Sequence, residues 1–245
     1  MISLLKKAKK SERTSTFSLL SVKNSKTLFE LSEPYRNIRT NIEFSISDKE
    51  IKTIALTSTQ PSEAKTTTAL NLAVVFANKY PNVLVVDCDL RKPKLHKYLH
   101  VSNTTGLTNA LKEFSMTGEA KEEFIQKVSR KNFSGNLSVL TCGKKVANPN
   151  ELLSSSTFKN YVQELRKSYD YIIFDCPPIL AVSDAIPVCN SSDGTLFVYS
   201  CSETKKQNAM SAITILEQNN VHILGTVLTK AKSYFNNYYY YSYND

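Results

Sequence analysis

The 245-residue sequence has no apolar run that approaches the roughly 20 residues needed to cross a bilayer. Its first ten residues hold four lysines beside a short apolar patch, without the long apolar region of a signal peptide. The three histidines are isolated, and the five cysteines are odd in number and lack the spacing of metal ligands. These absences predict a cytoplasmic protein with reduced cysteines and no metal site built from histidine or cysteine.

Positive charge is concentrated at the amino terminus. The net charge is +9, and residues 1–30 hold seven Lys and Arg against two Glu. We expect this basic segment to be flexible, and two alternatives stay open: it is simply solvated, or it lies against an anionic inner leaflet. No nucleic-acid-binding motif accompanies the charge, so we expect no nucleic acid as a partner.

Short apolar runs alternate with helical patterns from residue 51 onward. Strands are predicted at 82–87, 137–140, 194–200 and 223–228, with a further strand ending at Asp175, and helices at 106–114, 119–130, 156–168 and 204–218. This alternation predicts an α/β fold with a mostly parallel central sheet and helices on both faces.

The segment from Ile51 to Leu72 gives the first indication of function. A β-prone run ends in a polar turn at Pro61, and Lys65 with Thr66 then opens a helical pattern. Strand, tight loop, Lys-Thr and helix form the layout of a phosphate-binding loop, in which backbone amides face the phosphates. The standard pattern would place glycine at positions 59 and 64, where this chain has threonine and alanine.

Two predicted strands end in carboxylates. Asp87, Asp89 and Arg91 follow the first strand, and Asp175 ends the second. Beside a Lys-Thr helix start, they make a three-part site for Mg²⁺ and a polyphosphate. Each part alone has an ordinary explanation as a helix cap or a surface charge, but the ordered combination favours phosphoryl transfer.

A charged pattern precedes the phosphate loop. Ser32 is expected to cap a helix that has Pro34 in its first turn. Glu33, Arg36 and Arg39 recur every three residues and are predicted to share one face. They form either a solvated stripe or ion pairs across a subunit interface.

Periodicity stops after Thr229, and residues 230–245 carry six of the thirteen tyrosines. Such a segment is a sticky aromatic tail, an edge strand or, beside a phosphoryl-transfer site, an array of phosphate acceptors. The candidate acceptors are Tyr234, Tyr238, Tyr239, Tyr240, Tyr241 and Tyr243.

Together these residues resemble the bacterial tyrosine kinases of capsular and exopolysaccharide systems, in their separate cytoplasmic-subunit form. The resemblance covers essentially the whole chain and rests on an ordered set of motifs. The motifs are Glu33-x-x-Arg36-x-x-Arg39, the loop ending in Lys65-Thr66, Asp87-x-Asp89-x-Arg91-Lys92-Pro93, Asn148-Pro149-x-Glu151-Leu152-Leu153, Asp175-x-Pro177-Pro178 with Asp184-Ala185, and the tyrosine-rich tail.

The resemblance implies a P-loop NTPase-like fold and ATP-dependent autophosphorylation with Mg²⁺. Lys65 would hold the outer phosphates, and Thr66 would offer its hydroxyl to the metal. The three aspartates would organise the metal and its water, with Asp87 and Asp175 as ligands and either Asp87 or Asp89 taking the tyrosine proton. Arg91 would order this acidic cluster or meet phosphate. The residues around the nucleotide would be Pro61, Ser62, Glu63, Ala64, Lys65, Thr66 and Thr67.

The resemblance also implies partners. These are further copies in a ring-like homo-oligomer assembled through the Glu/Arg helix, a membrane adaptor of the polysaccharide co-polymerase type, and a cognate tyrosine phosphatase. The protein would be cytoplasmic and held at the inner face of the membrane by the adaptor. Its parts would be a basic segment (1–30), a kinase domain (31–229) and a flexible tail (230–245).

The loop departs from the Pro-Gly-x-Gly-Lys pattern of these kinases at Ser62 and Ala64. If both positions need a positive φ, each Cβ costs about 1–2 kcal/mol. Thr229 stands where the family tends to have an asparagine near the adenine. One alternative is therefore a weak or inactive family member that acts as an assembly module on the adaptor. A cell-division or partitioning ATPase ranks behind, since the extra loop lysine of that class is missing at Thr59 and Gln60.

Overall fold

Apolar runs rich in Val, Ile, Leu and Phe form most strands of a seven-stranded sheet at the centre of the fold. The structure, a computed structural model, describes Leu19 and residues 25–45, 50–130 and 133–231. The strands are β1 (Thr53–Ser58), β2 (Val83–Asp87), β3 (Gln126–Arg130), β4 (Phe133–Leu140), β5 (Tyr171–Asp175), β6 (Gly194–Ser200) and β7 (Ile223–Thr229). They lie in the order β3-β4-β2-β5-β1-β6-β7.

All neighbouring strands of this sheet are parallel except β3 and β4, which are antiparallel. Every residue of β1 and β2 is buried. Parallel strands covered on both faces carry continuous apolar runs rather than an alternating pattern, which is why these runs were visible in the sequence. The predicted, mostly parallel sheet is confirmed.

Helices cover the sheet on both faces. They are α1 (Ser25–Glu43), α2 (Lys65–Ala77), α3 (Leu95–Leu99), α4 (Leu107–Thr117), α5 (Pro149–Ser154), α6 (Ser156–Ser168), α7 (Ala185–Asn190) and α8 (Lys206–Gln218). One apolar core contains residues of α1, α2 and α3, and the other contains residues of α4 to α8. Across the described ranges, no helix is both long enough and apolar enough to cross a membrane.

The helix predicted at 119–130 is wrong. This segment forms a 3₁₀ turn at Glu122–Phe124 followed by β3. Strand β3 pairs with β4 in a register that sets Val128 opposite Leu137, and both side chains are buried. The edge of a sheet supplies backbone partners that local helix propensity does not reveal.

The predicted start of the first helix is also wrong. Helix α1 begins at Ser25 rather than after a cap at Ser32, which is buried, and it carries Pro34 in its interior. Proline removes one helical hydrogen bond. The apolar side chains of Tyr35 and Ile42 pack into the core beneath α1, and this packing offsets the loss. The helix crosses the predicted boundary after residue 30, while most of segment 1–30 and all six acceptor tyrosines lie outside the described residues.

Asp193 connects the segments that lead into β1 and β6 with helix α6, at the end of the sheet where these parallel strands begin. Its Oδ2 accepts hydrogen bonds from the amides of Lys52 and Thr53, both at 2.8 Å, and from the guanidinium of Arg166 on α6. Burial alone would raise the pKa of Asp193, but these hydrogen bonds outweigh burial and lower it. The ionised carboxylate therefore stabilises the folded state.

Replacing Asp193 with Ala should lower the free energy of unfolding by about 2–4 kcal/mol at pH 7, because several charge-assisted hydrogen bonds are lost. Since the folded-state pKa is lowered, this stabilisation is complete above the unfolded-state value of about 3.9 and is lost as pH falls through the folded-state value. Urea denaturation at pH 7 and pH 3 measures the difference. Asp170→Ala is the matched control, since the Asp170 side chain accepts one amide hydrogen bond among the described residues, from Asn82. If the difference in free energy of unfolding between wild type and Asp193→Ala stayed constant down to pH 3, the stabilising role of the ionised Asp193 would be contradicted.

Candidate active site

The loop between β1 and α2 is shaped by two residues in the left-handed region. Ser62 has a φ of 73° and Ala64 a φ of 65°. Side chains with a Cβ rarely adopt this region, and each such residue costs about 1–2 kcal/mol. The condition raised by the sequence, that positions 62 and 64 need a positive φ, is therefore met. The backbone has the bend expected of a glycine-containing phosphate loop, formed here without glycine.

Unpaired donors line the start of α2. Ala64 provides no side-chain cap, and the first amide to reach a helical carbonyl is that of Thr68, which donates to Ala64 at 2.9 Å. The preceding amides therefore have no partner within the helix and favour an anion. At the start of the loop, the hydroxyl of Thr59 is buried and has no hydrogen-bond partner in the described part of the chain. These donors fit the phosphates of a nucleotide.

Lys65 forms a buried ion pair at the carboxyl end of β5. Its Nζ donates to Oδ1 of Asp175, and both side chains are almost completely buried. Burial alone would lower the pKa of Lys65, but attraction to Asp175 and the hydrogen bond between them outweigh it, so the pKa is raised. The lysine is therefore held as a cation inside the domain.

Asp87 lies beside this pair. It stands opposite Asp175 in the register of β2 and β5 and is fully buried. Its Oδ2 accepts hydrogen bonds from the amides of Lys94 and Leu95, both at 3.0 Å. Burial and the nearby charge of Asp175 raise the pKa of Asp87 to about 7. Two adjacent buried carboxylates need a cation if both are to stay ionised near neutral pH.

The predicted metal ligands are brought together in part. Asp87 and Asp175 end neighbouring strands, and Thr66 follows the lysine that contacts Asp175. In the described ranges no group of three or more His, Cys, Asp and Glu side chains could hold a metal ion. Mg²⁺ usually binds one or two carboxylates together with waters and substrate phosphates. These donors therefore fit an ion that arrives with a nucleotide.

Arg91 contacts an acid outside this cluster. Its Nε and Nη2 donate to the two carboxylate oxygens of Asp184 at 2.6 and 3.1 Å, and Asp184 is buried. Asp89 accepts the amide of Lys92 at 2.9 Å and so shapes the same turn. The arginine fastens the loop after β2 to the start of α7. The Asp184-Ala185 motif in the sequence was the only signal for this pairing.

Sequence reasoning missed the contacts of Glu63 and Thr229. The carboxylate of Glu63 is buried and accepts hydrogen bonds from the amide of Gln60 at 3.0 Å and from the hydroxyl of Thr204. The carbonyl of Glu63 accepts a hydrogen bond from the hydroxyl of Thr229 at 2.8 Å. The carboxylate of Glu63 is thus hydrogen-bonded within the protein. No spacing in the sequence links these distant residues.

Glu33, Arg36 and Arg39 make different contacts on α1. Glu33 and Arg36 pair at 3.1 Å in a partly exposed position on α1. Arg39 instead donates to the carbonyl of Val75 at 2.7 Å and pairs with Glu43, so it is turned toward α2. A spacing of three residues is shorter than the 3.6 residues of one helical turn, so successive side chains at this spacing shift around the helix. Whether these residues serve in assembly stays a prediction.

Comparison with known proteins first gives the class. Residues 51–226 match the sequence model of a family described as AAA domain. The mostly parallel sheet is also the fold of the Pyrococcus furiosus cell division ATPase MinD, whose structure has a TM-score of 0.56 at 26% identity and covers 73% of this chain and 72% of that one.

Individual relatives then give the family. Tyrosine-protein kinase YwqD of Bacillus subtilis (strain 168) is 44% identical over 216 residues, which cover 87% of each chain. Tyrosine-protein kinase CpsD of Streptococcus pneumoniae serotype 4 is 34% identical over 207 residues, or 84% of this chain and 87% of that one. The crystal structure of the VpsO kinase domain has a TM-score of 0.71 at 31% identity and covers 84% of this chain and 98% of that one. The chain belongs to the bacterial tyrosine kinase family.

Proposed function

We propose that the protein is an ATP-dependent tyrosine kinase that phosphorylates its own carboxyl-terminal tyrosines and so regulates capsular or exopolysaccharide synthesis. The observation that carries this proposal is the buried pair of Lys65 and Asp175, with Asp87 beside it, at the end of the phosphate loop. Isolated buried charges are costly, and a protein retains such a set where chemistry needs it.

The residues of the chain have distinct tasks in this proposal. The free amides at the start of α2 and the cation of Lys65 bind and orient the phosphates. Thr66, Asp87 and Asp175 would hold Mg²⁺, which when bound would offset the negative charge of the phosphates. Either Asp87 or Asp89 accepts the proton of the tyrosine hydroxyl. Arg91 keeps the turn that carries Asp89 in place through Asp184.

A second candidate function is a catalytically weak family member that acts as an assembly module on a membrane adaptor. The left-handed Ser62 and Ala64 favour it, because strain in the loop reduces the population that can bind a nucleotide. Phosphotyrosine formation separates the two candidates.

The proposal includes assembly. Copies of the chain would form a ring-like homo-oligomer, with the partly exposed pair of Glu33 and Arg36 as one contact on α1. A membrane adaptor of the polysaccharide co-polymerase type would hold the cytoplasmic ring at the inner face of the membrane. A cognate tyrosine phosphatase would reverse the modification.

Incubation of the full chain with Mg-ATP should place phosphate chiefly on the six tail tyrosines, and mass spectrometry maps these sites. Each phosphate adds about −1.5 to −2 charges, so repulsion between tails should loosen the oligomer in light scattering. A variant with all six tyrosines changed to Phe should stay assembled under the same conditions. Phosphate found mainly on other tyrosines, or a Phe variant that disassembles like wild type, would contradict the tail as acceptor and switch. Absence of phosphotyrosine would favour the assembly module.

A further inference from the structure

We propose that Thr204 and Thr229 are positioning residues that hold the phosphate loop in its left-handed shape by gripping Glu63. We call Glu63, Thr204 and Thr229 the Glu63 clamp. The inference rests on the proposed nucleotide-binding function, because it concerns the loop that would receive the phosphates.

The loop needs external support. Ser62 and Ala64 both have a positive φ, and neither is a glycine. Residues with a Cβ leave this region readily unless the surrounding structure fixes them. Glu63 lies between the two strained residues, so a constraint on Glu63 acts on both neighbours.

Glu63 is held from three sides. One carboxylate oxygen accepts the amide of Gln60 at 3.0 Å and closes the loop on itself. The other accepts the hydroxyl of Thr204, and the backbone carbonyl accepts the hydroxyl of Thr229 at 2.8 Å. Glu63 is 1% exposed, and hydrogen bonds shielded from water are stronger.

The two threonines are themselves fixed to the sheet. The hydroxyl of Thr204 accepts the amide of Ser200, the last residue of β6, at 2.8 Å. Thr229 is the last residue of β7, and its carbonyl accepts the amide of Cys201 at 2.8 Å. Strand β6 pairs with β1, the strand that leads into the loop. The grip on Glu63 therefore comes from the last residue of β7 and from a loop residue, Thr204, that is tied to the end of β6.

Thr229 gives the sharpest test. Its hydroxyl oxygen lies 2.8 Å from the carbonyl oxygen of Glu63 and 3.2 Å from that of Tyr199, so its single proton has the shorter contact with Glu63. Thr229→Val keeps the shape and removes the donor, while Thr229→Ser keeps the donor. Thr226→Val is the matched control, because Thr226 lies on the same strand with an exposed side chain and takes no part in the clamp.

The first measurement is hydrogen exchange of the ligand-free full chain, which does not depend on catalysis. Thr229→Val should speed exchange of the Gln60 amide, which donates to Glu63, about fivefold or more, because the loop opens more often. Thr229→Ser and Thr226→Val should match wild type. Unchanged exchange in Thr229→Val would overturn the clamp.

The second measurement is titration with fluorescent ADP and Mg²⁺. Thr229→Val should weaken binding about tenfold, since apparent affinity falls with the fraction of competent loops. For the same reason the KM for ATP should rise while kcat at saturating ATP stays unchanged. In a Ser62→Gly, Ala64→Gly background, Thr229→Val should weaken ADP binding by less than about threefold, because glycine adopts a positive φ without support from other residues.

The outcomes separate the inference from the proposed function. If Thr229→Val weakened ADP binding equally in the wild-type and the glycine-restored chain, the link between the Glu63 clamp and loop strain would be overturned. Faster exchange in Thr229→Val, with no ADP binding even by the glycine-restored chain, would support the clamp and refute the proposed kinase. Unchanged exchange together with normal ADP binding would refute the clamp and leave the kinase standing.

Discussion

Replacing Lys65 with Met should lower phosphotyrosine formation at least about a hundredfold, the scale expected when a preorganised charged donor at a reacting phosphate is lost. Methionine fills a similar volume but carries no charge. The substitution also leaves Asp87 and Asp175 facing each other without their lysine. Two adjacent buried carboxylates resist ionising together, so the pKa of Asp87, already raised to about 7, should rise further.

This rise gives the Lys65→Met variant a distinct pH dependence. A carboxyl whose folded-state pKa lies above its unfolded-state value binds more protons when folded, so the protein loses stability as pH increases between the two values. The free energy of unfolding of the variant should therefore fall more steeply than that of wild type from pH 5 to pH 8. Urea denaturation across this range measures the slope, and phosphotyrosine blotting measures activity.

Lys159→Met serves as the control, because Lys159 is an exposed residue of α6 outside the site. This variant should match wild type in activity and in pH dependence. A Lys65→Met variant that keeps normal phosphotyrosine formation would refute the role of Lys65 in phosphate binding.

The core of the site was predictable because it lies where buried strands end. Parallel strands covered on both faces appear as continuous apolar runs, so the acids that follow them stand out. Asp87 and Asp175 were found in this way, and parallel pairing brings them side by side. The Lys-Thr helix start was recognisable for a similar reason, since the loop follows such a run directly.

Contacts between distant segments were not predictable from local patterns. The spacing of Glu33, Arg36 and Arg39 suggested one face, but Arg39 finds the carbonyl of Val75 on a neighbouring helix. Residues 119–130 looked helical because edge pairing of β3 with β4 leaves no local trace. The hydrogen bond from Thr229 to Glu63 joins the end of β7 to the loop between β1 and α2, and only the folded chain brings these residues together.

Replacing Asp175 with Asn should lower phosphotyrosine formation at least about tenfold, the scale expected when a carboxylate that organises a metal is lost. Asparagine has nearly the same shape and still offers Lys65 an oxygen acceptor, so the hydrogen bond can persist while the charge disappears. Breaking a buried pair is costly, on the order of 3–5 kcal/mol when one partner is removed outright. We expect a smaller loss of stability here, because one hydrogen bond remains.

Loss of stability must therefore be separated from loss of chemistry. Asp193→Asn is the matched control, since it is the same change at the end of the sheet where the parallel strands begin. The Asp193 carboxylate likewise accepts hydrogen bonds, from Arg166 and two backbone amides. Both variants should unfold at lower urea concentration, but only Asp175→Asn should lose activity at temperatures where both remain folded. Because the charge of Asp175 helps to raise the pKa of Asp87, Asp175→Asn should also lower that pKa, which NMR titration of labelled aspartate can follow. Full activity in Asp175→Asn would refute Asp175 as a metal ligand, whereas equal losses in both variants would show that stability alone accounts for the effect.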